Sequence, residues 1–203
     1  MPRPFSDQER HLLREKLRGT ARSRIEEVGI RATSVDDLSR RVGISKGAFY
    51  LLYESKEDLV VAVFSEVEDE VRASLDELIA RGEGSPKERM TEFVRFVFES
   101  IDRHPLLNLL ADPVEAPVLW RSVTPEEMAE RMADDDRYFA GLAGVLHSEG
   151  VLDTSVSGEV VAGIPPLALA VARGRDLIGE ERYDQLVGLV AEGLGFRLAR
   201  EES

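Results

Sequence analysis

Residues 33–50 decide the fold of this chain, and they read TSVDDLSRRVGISKGAFY. Thr33 and Ser34 precede a short helical pattern, Gly43 begins a three-residue turn, and Ser45 can cap a second short helix. Two short helices joined by such a turn are typical of the helix-turn-helix, whose second helix enters the major groove of DNA. The same pattern also occurs as a packing corner with no DNA role, so the stretch alone leaves both interpretations open.

The two helices of this stretch predict one buried face and one outward face. The apolar residues that can hold the pair together are Leu38, Val42, Ile44 and Phe49. Helical spacing places Lys46, Gly47 and Tyr50 on the opposite, outward face. Gly47 and Ala48 are small enough for the helix to approach base edges, and the Ala48 methyl group can touch a thymine methyl. Lys46 can reach a guanine edge or a phosphate.

Hydroxyl and ammonium groups around the stretch are suited to phosphate oxygens. Thr33, Ser34 and Ser45 lie at helix starts, where free backbone N–H groups attract anions. Lys56 adds a cation at the start of the next helix. These residue types predict contacts to the DNA backbone.

The charge distribution separates the first quarter of the chain from the rest. The 203 residues carry a net charge of −13, which argues against a nucleic-acid partner when taken as a single sum. Residues 1–56, however, hold twelve Lys and Arg against eight Asp and Glu, and the remaining residues hold 14 against 31. A basic N-terminal quarter on an acidic body indicates two regions with different partners, and the basic region favours a polyanion.

The rest of the chain predicts helices nearly throughout and an all-α fold. Ser6 and Glu9 form a capping-box pattern, and an apolar stripe follows as far as Gly29, which is expected to end the first helix. A long helix is predicted over 55–81. Further helices are predicted over 86–103, 106–111, 125–148, 157–173 and 180–200, with an irregular connection at 112–124.

Residues 29–59 resemble the tetracycline-repressor (TetR) family of bacterial transcription regulators. The resemblance implies a three-helix DNA-binding head at 1–58, and a body at 59–203 that begins with a long fourth helix, binds a small-molecule effector and forms a homodimer. It implies DNA contacts from the following residues: Thr33, Ser34, Ser45, Lys46, Gly47, Ala48, Tyr50 and Lys56. Leu52 departs from the family pattern, which often has a phosphate-contacting His or Tyr there, so Leu52 is expected to pack instead. Tyr53 replaces the usual Phe.

The body contains candidate residues for an effector pocket and for a dimer interface. The apolar and amide side chains that can line a pocket are Phe93, Phe96, Asn108, Trp120, Met128, Met132 and Phe139. The same stripes are also typical of an ordinary helical core. The two C-terminal helices are apolar enough to pair with a second copy, with these candidate interface residues: Ile164, Leu167, Val171, Leu186, Val190 and Leu194. Such a dimer would present two recognition helices to a palindromic operator.

Composition and motifs bear on the other functional classes. The chain has no cysteine, so disulfides, thiolate metal sites and cysteine nucleophiles are excluded. No phosphate-binding loop, zinc motif or catalytic constellation is present, and no cofactor is predicted. Asp134–Asp136 can either bind a divalent cation or form a solvated acidic face.

The first residues lack the apolar segment of a secretory signal, and the longest uncharged stretch is too short to span a membrane. These features predict a cytoplasmic location.

The motif and the charge distribution favour a DNA-binding regulator and, among regulators, a repressor. The competing classes are a helical ligand-binding or adaptor protein that does not bind DNA and, less favoured, an all-α enzyme that uses the acidic body to hold a metal.

Overall fold

The computed structural model describes residues 5–110 and 112–201 and confirms the all-α prediction. Over these residues there is no strand, and β pairing is limited to one isolated bridge between Leu152 and Ala199. The helices are α1 Asp7–Ala32, α2 Val35–Val42, α3 Lys46–Phe49, α4 Lys56–Arg81, α5 Pro86–Arg103, α6 Pro105–Leu109, α7 Ala116–Leu119, α8 Pro125–Ser148, α9 Gly158–Ala162, α10 Ile164–Ala172, α11 Arg175–Ile178 and α12 Glu180–Leu198.

Local capping explains where several of these helices begin. Ser6 and Glu9 form the predicted capping box at the start of α1, since the Ser6 hydroxyl accepts from the Glu9 N–H and the Glu9 carboxylate accepts from the Ser6 N–H. The same reciprocal arrangement joins Ser85 to Glu88 at the start of α5. These two helices therefore begin within one residue of the expected position.

The predicted helix over 157–173 is interrupted in the structure. It forms two helices, α9 and α10, which meet at Gly163. Pro165 cannot donate a backbone hydrogen bond to the preceding turn, and its ring crowds that turn, so a continuous helix would be destabilised. In the first turn of a new helix, where no such donor is needed, proline is well accommodated.

The first compact unit comprises the described residues up to Asp69 together with Asp112–Val123. Helix α1 packs against α2 and α7 in this unit. Val118 and Leu119 of α7 are buried. The segment that the sequence predicted as an irregular connection therefore contains a short α-helix, followed by a 3-10 turn at Trp120–Ser122.

Helix α1 contains a kink that a glutamate from the 112–123 segment stabilises. Gly29 has a φ of 82° within α1, a backbone conformation that residues with a Cβ atom rarely adopt. The Glu115 carboxylate accepts a hydrogen bond from the Arg31 N–H at 3.0 Å. A Cβ atom on Gly29 would lie 2.9 Å from the same carboxylate. The backbone conformation therefore favours glycine, whereas the flexible end of Glu115 could shift away from a Cβ atom.

The second compact unit comprises the described residues from Glu70 onward, apart from the 112–123 segment. Helix α5 is its central element and packs against α10 and α12, while α8 packs against α9. Phe93 and Phe98 of α5 are buried in a continuous apolar core that also contains Leu146 and Tyr183. The backbones of α5 and α12 approach closely where Gly195 faces Thr91.

Candidate functional site

Helices α2 and α3 form the predicted helix-turn-helix. The Ser34 hydroxyl accepts from the Asp37 N–H at 3.2 Å, and the Ser45 hydroxyl accepts from the Ala48 N–H at 3.1 Å, so each helix has a side-chain cap. Gly43 adopts the left-handed conformation, with φ 81° and ψ 30°, and its N–H bonds to carbonyls at the end of α2. Because these contacts are all local, the motif forms where the sequence predicted it.

The two faces of the motif differ in exposure. Leu38 and Phe49 are fully buried beneath it, and Val42 and Ile44 are half-buried, in agreement with the predicted packing face. Most of the predicted DNA-contact residues are exposed: Ser34, Ser45, Lys46, Gly47 and Tyr50, with Ala48 half-buried. The outward face of α3 is therefore polar and free of bulky side chains before Tyr50.

Lys46 is the cation at the first position of α3, and it is paired across the motif. Its Nζ lies 3.1 Å from Oδ1 of Asp36, a residue of the first turn of α2. The hydrogen bond and negative charge of Asp36 raise the pKa of the Lys46 ammonium. Lys46 is therefore charged, and its position is set by a carboxylate that the sequence analysis did not single out.

In the structure, the side chains of Thr33 and Lys56, both predicted to contact phosphate, bind backbone carbonyls. The Thr33 side chain is 2% exposed, and its hydroxyl donates to the Gly29 carbonyl at 2.8 Å. The Lys56 ammonium donates to the carbonyls of Ile30 and Thr33, at 3.0 and 3.1 Å. Both side chains satisfy backbone carbonyls at the end of α1, so they position the motif from within.

Replacing Lys56 with methionine tests this positioning role. The two lost hydrogen bonds are expected to lower the free energy of unfolding by about 2 kcal/mol, as measured by urea denaturation. The dependence of DNA affinity on salt should stay unchanged, because no phosphate contact is removed. A slope of log K against log[salt] that flattens by about 0.9 in Lys56→Met would show that Lys56 contacts phosphate after all.

Leu52 packs, as expected from its departure from the family pattern. Its side chain is buried, and its carbonyl accepts from the Arg14 guanidinium at 3.0 and 3.2 Å. The exposed apolar position at this end of the motif is the neighbouring Leu51, which lies next to Tyr50 in sequence. Leu51 was missed because sequence spacing alone does not show which residue of the turn after α3 faces outward.

Asp37 forms ion pairs with three arginines at the base of the motif. Its carboxylate contacts Arg24 at 3.1 Å, Arg41 at 2.9 Å, and Arg40. Although partial burial opposes the shift, hydrogen bonds from Arg41 and Arg40 hold the pKa of Asp37 below its ordinary value. Arg40 is 78% exposed, so its guanidinium contributes positive charge to the surface beside the recognition helix.

The model of the bacterial regulatory proteins of the tetR family matches residues 17–63, which include the whole helix-turn-helix. A solved transcriptional regulator of the TetR/AcrR family from Thermobifida fusca is 27% identical, with a TM-score of 0.65 over 90% of this chain and 96% of that one. The N-terminal region, residues 17–63, is a TetR-family helix-turn-helix region. The chain is a DNA-binding transcriptional regulator, and the adaptor alternative is not supported.

Two further solved structures share the fold of this regulator. The ketosteroid regulator KstR2 of Mycobacterium tuberculosis is 20% identical, with a TM-score of 0.57 over 93% of this chain and 95% of that one. FadR from Bacillus subtilis, solved with stearoyl-CoA, is 14% identical, with a TM-score of 0.62 over 90% and 95%. A search of the curated proteins finds no match. Within the described residues, none of the helices is long and apolar enough to cross a membrane.

The predicted pocket residues of the regulator lie in both compact units. Trp120 belongs to the first compact unit, whereas the other six candidates belong to the second. Phe93 is fully buried in the apolar core, and Met132 is 63% exposed. Asn108, Met128 and Phe139 are half-buried. The pocket role of these residues stays a prediction.

A groove in the body lies between α4 and α5 and contains one of the predicted residues, Phe96. Its volume is about 790 Å³. The residues that line it are Ser74, Glu77, Leu78, Ala80, Arg81, Glu92, Arg95, Phe96, Glu99 and Arg103. This groove was not predicted from the sequence, because most of its lining belongs to the charged faces of the two helices.

The predicted dimer residues of the regulator divide between core and surface. Ile164 is 4% exposed and belongs to the core of the single chain, which leaves little of its side chain for an interface. Val171, Val190 and Leu194 are half-buried against that core. Leu167 and Leu186 are exposed and remain candidates.

The exposed face of α12 adds two apolar residues that the predicted set omitted. Leu189 is 64% exposed and Phe196 is 57% exposed. Together with Leu186 and Gly193 they recur at helical spacing along one face, here called the α12 stripe. Leu167 on α10 and Val160 on α9 are also exposed.

The acidic run at 134–136 contributes to a contact between helices. Arg72 of α4 donates to Asp134 at 3.0 Å and also to Asp135 of α8. The Tyr138 hydroxyl donates to Asp76 at 2.9 Å. Burial and the Asp76 carboxylate raise the pKa of Tyr138, so it remains a neutral donor. These polar contacts hold α4 against α8.

Proposed function

We propose that this regulator is a repressor that leaves a palindromic operator when a small molecule binds to its body. The observation that carries the proposal is the outward face of the helix-turn-helix. It presents the capping hydroxyls of Ser34 and Ser45, the Lys46 ammonium and the Tyr50 ring, while Leu38 and Phe49 are buried beneath the motif. Such a surface offers donors to phosphates and a narrow helix to the base edges.

In this proposal, residues 1–58 recognise DNA, and residues 59–203 bind the effector and form the dimer. The basic balance of the N-terminal quarter supports the first assignment, because phosphate attraction supplies much of the affinity for DNA. The acidic body is unsuited to a polyanion. No catalytic residue and no cofactor are part of the proposal.

The groove between α4 and α5 is the proposed effector site. Its volume lies within the range of small-molecule sites. Phe96 and Leu78 offer apolar contact, and Arg81, Arg95 and Arg103 offer charged donors, so an amphipathic molecule with an anionic group would suit the lining. FadR of Bacillus subtilis, with its bound stearoyl-CoA, supports a small-molecule effector for a body of this fold.

The α12 stripe, with Leu167 of α10, is the proposed dimer interface. Several large apolar side chains on one face are exposed together, and contiguous apolar patches on soluble proteins often mark interfaces. A two-fold axis between two such faces would present two recognition helices to a palindromic operator.

Replacing Lys46 with alanine tests the DNA face directly. The probe is a duplex that the wild-type protein selects from a pool of random sequences, here called the selected duplex. Loss of one cation from the interface should weaken binding about fivefold at moderate salt and flatten the slope of log K against log[salt] by about 0.9. Fluorescence anisotropy over a series of salt concentrations measures both quantities.

Tyr50→Phe is the companion variant, because it removes one exposed hydroxyl and keeps the ring against Phe49. It should weaken binding to the selected duplex with little change in the salt slope. Circular dichroism should show both variants folded, since both side chains are exposed. If affinity and slope are unchanged in both, the outward face of α3 is not the DNA-binding face.

A further inference from the structure

The ion pair between Lys46 and Asp36 places a negative charge beside the one cation of the recognition helix. Helix α3 consists of Lys-Gly-Ala-Phe, so Lys46 is its single charged side chain. Asp36 comes from the preceding helix, two residues after the Ser34 cap, and its carboxylate lies 3.1 Å from the Lys46 ammonium. Both side chains are more than half exposed, at 72% and 55%. The pair is therefore on the surface that DNA would approach.

A carboxylate at this place works against general attraction to DNA. A phosphate that contacts Lys46 either displaces Asp36 or shares the ammonium with it, and in both cases the nearby carboxylate repels that phosphate. At random sequence, the acceptors within reach of Lys46 are on average phosphate oxygens. A matching site also places the O6 and N7 acceptors of guanine within its reach. The ion pair thus lowers affinity for random sequence more than for a matching site.

We propose that Asp36 is a specificity-determining residue, which holds the Lys46 ammonium away from backbone phosphates and so weakens binding to non-operator DNA. The inference rests on the proposed function, because it assumes that the outward face of α3 meets DNA. It differs from a purely structural role for Asp36, in which the carboxylate only stabilises the first turn of α2. A structural role would change stability and leave the salt dependence of DNA binding as it is.

A double-mutant cycle on random-sequence duplex DNA separates these roles. The four proteins are the wild type, Asp36→Asn, Lys46→Ala and the double variant, each compared by anisotropy over a series of salt concentrations. Asp36→Asn should bind random duplex roughly threefold more tightly at about 0.1 M salt, and its slope should steepen by about 0.9 as Lys46 gains a phosphate. Lys46→Ala alone should change binding to random duplex little.

The double variant decides whether Asp36 acts through Lys46. In the Lys46→Ala background, Asp36→Asn should change neither affinity nor slope. If the threefold gain persists there, Asp36 acts only as an isolated charge and the proposal is overturned. An unchanged affinity of Asp36→Asn in the wild-type background overturns it as well.

The selected duplex and a control variant complete the experiment. Asp36→Asn should lower the ratio of affinities for selected over random duplex roughly threefold. Asp7→Asn removes the same charge from the first turn of α1 and should leave that ratio unchanged. An equal loss in Asp7→Asn would mean that net charge alone sets the ratio, against the proposal. If the wild type binds neither duplex, the proposed function itself fails. That outcome is distinct from one in which the wild type binds DNA and Asp36→Asn binds it with unchanged affinity.

Discussion

Glutamate at both Leu186 and Leu189 is expected to convert the proposed dimer into a monomer and to lower affinity for the selected duplex by about 100-fold or more. Both leucines are exposed on the α12 stripe, so the change should leave the fold of a single chain intact. In a dimer, however, it would bury four carboxylates without partners, and each costs several kcal/mol. Sedimentation should give the mass of one chain, 22.6 kDa, and anisotropy should report the loss of affinity because each head then binds one half-site alone.

Leu177→Glu is the matched control for this experiment. Leu177 is an exposed leucine at 92%, but it lies on α11 and outside the α12 stripe. This variant should sediment and bind like the wild type. A double Leu186→Glu, Leu189→Glu protein that remains dimeric would place the interface elsewhere, and a monomer with full affinity would remove the need for a palindromic operator.

Alanine at Gly195 is expected to destabilise the body by about 2–3 kcal/mol. A Cβ atom at Gly195 would lie 2.5 Å from the Thr91 Cα atom and 2.6 Å from its backbone nitrogen. Backbone atoms of a packed helix cannot turn aside as a flexible side chain can, so α5 and α12 would have to separate. Because this contact joins the two main helices of the apolar core, the loss should appear as a lower urea midpoint at an unchanged m-value.

Gly188→Ala provides the comparison within the same helix. No atom lies within 4 Å of a Cβ built on Gly188. Alanine is favoured over glycine inside a helix by about 0.5–1 kcal/mol, so this variant should be as stable as the wild type or slightly more stable. Equal midpoints for the two variants would show that the helices do not approach each other as closely as the structure indicates.

The DNA-binding motif could be predicted because its determinants are local. Ser34 and Ser45 cap helices that begin one residue later, and Gly43 ends the helix that precedes it. Each of these interactions joins residues within four positions of one another. Sequence spacing therefore carries the information, and the burial of Leu38 and Phe49 follows from helical periodicity.

The body was predicted less well because its faces depend on distant neighbours. Ile164 and Leu189 each belong to a run of apolar residues at helical spacing. Ile164 is nevertheless buried in the core, whereas Leu189 is exposed at the surface. Which face of a helix is covered depends on the helices that pack against it. The groove beside Phe96 was likewise hidden, because Arg95 and Glu99 fit a solvated charge pattern equally well. Asp36 was overlooked for the same reason, since its partner Lys46 lies across a turn.

The kink at Gly29 affects how the DNA-binding head of this regulator can be transferred to another protein. Glu115, which bonds to the kink, comes from a segment that the chain reaches only after passing through part of the body. A DNA-binding head cut out as one continuous piece ending at residue 69 would lack Glu115, as well as the buried Val118 and Leu119. A chimera built to give this head to another sensor therefore has to carry two pieces of the chain, residues 1–69 and 112–123. Exchange by a single crossover would leave the recipient with an incomplete core in the transplanted part.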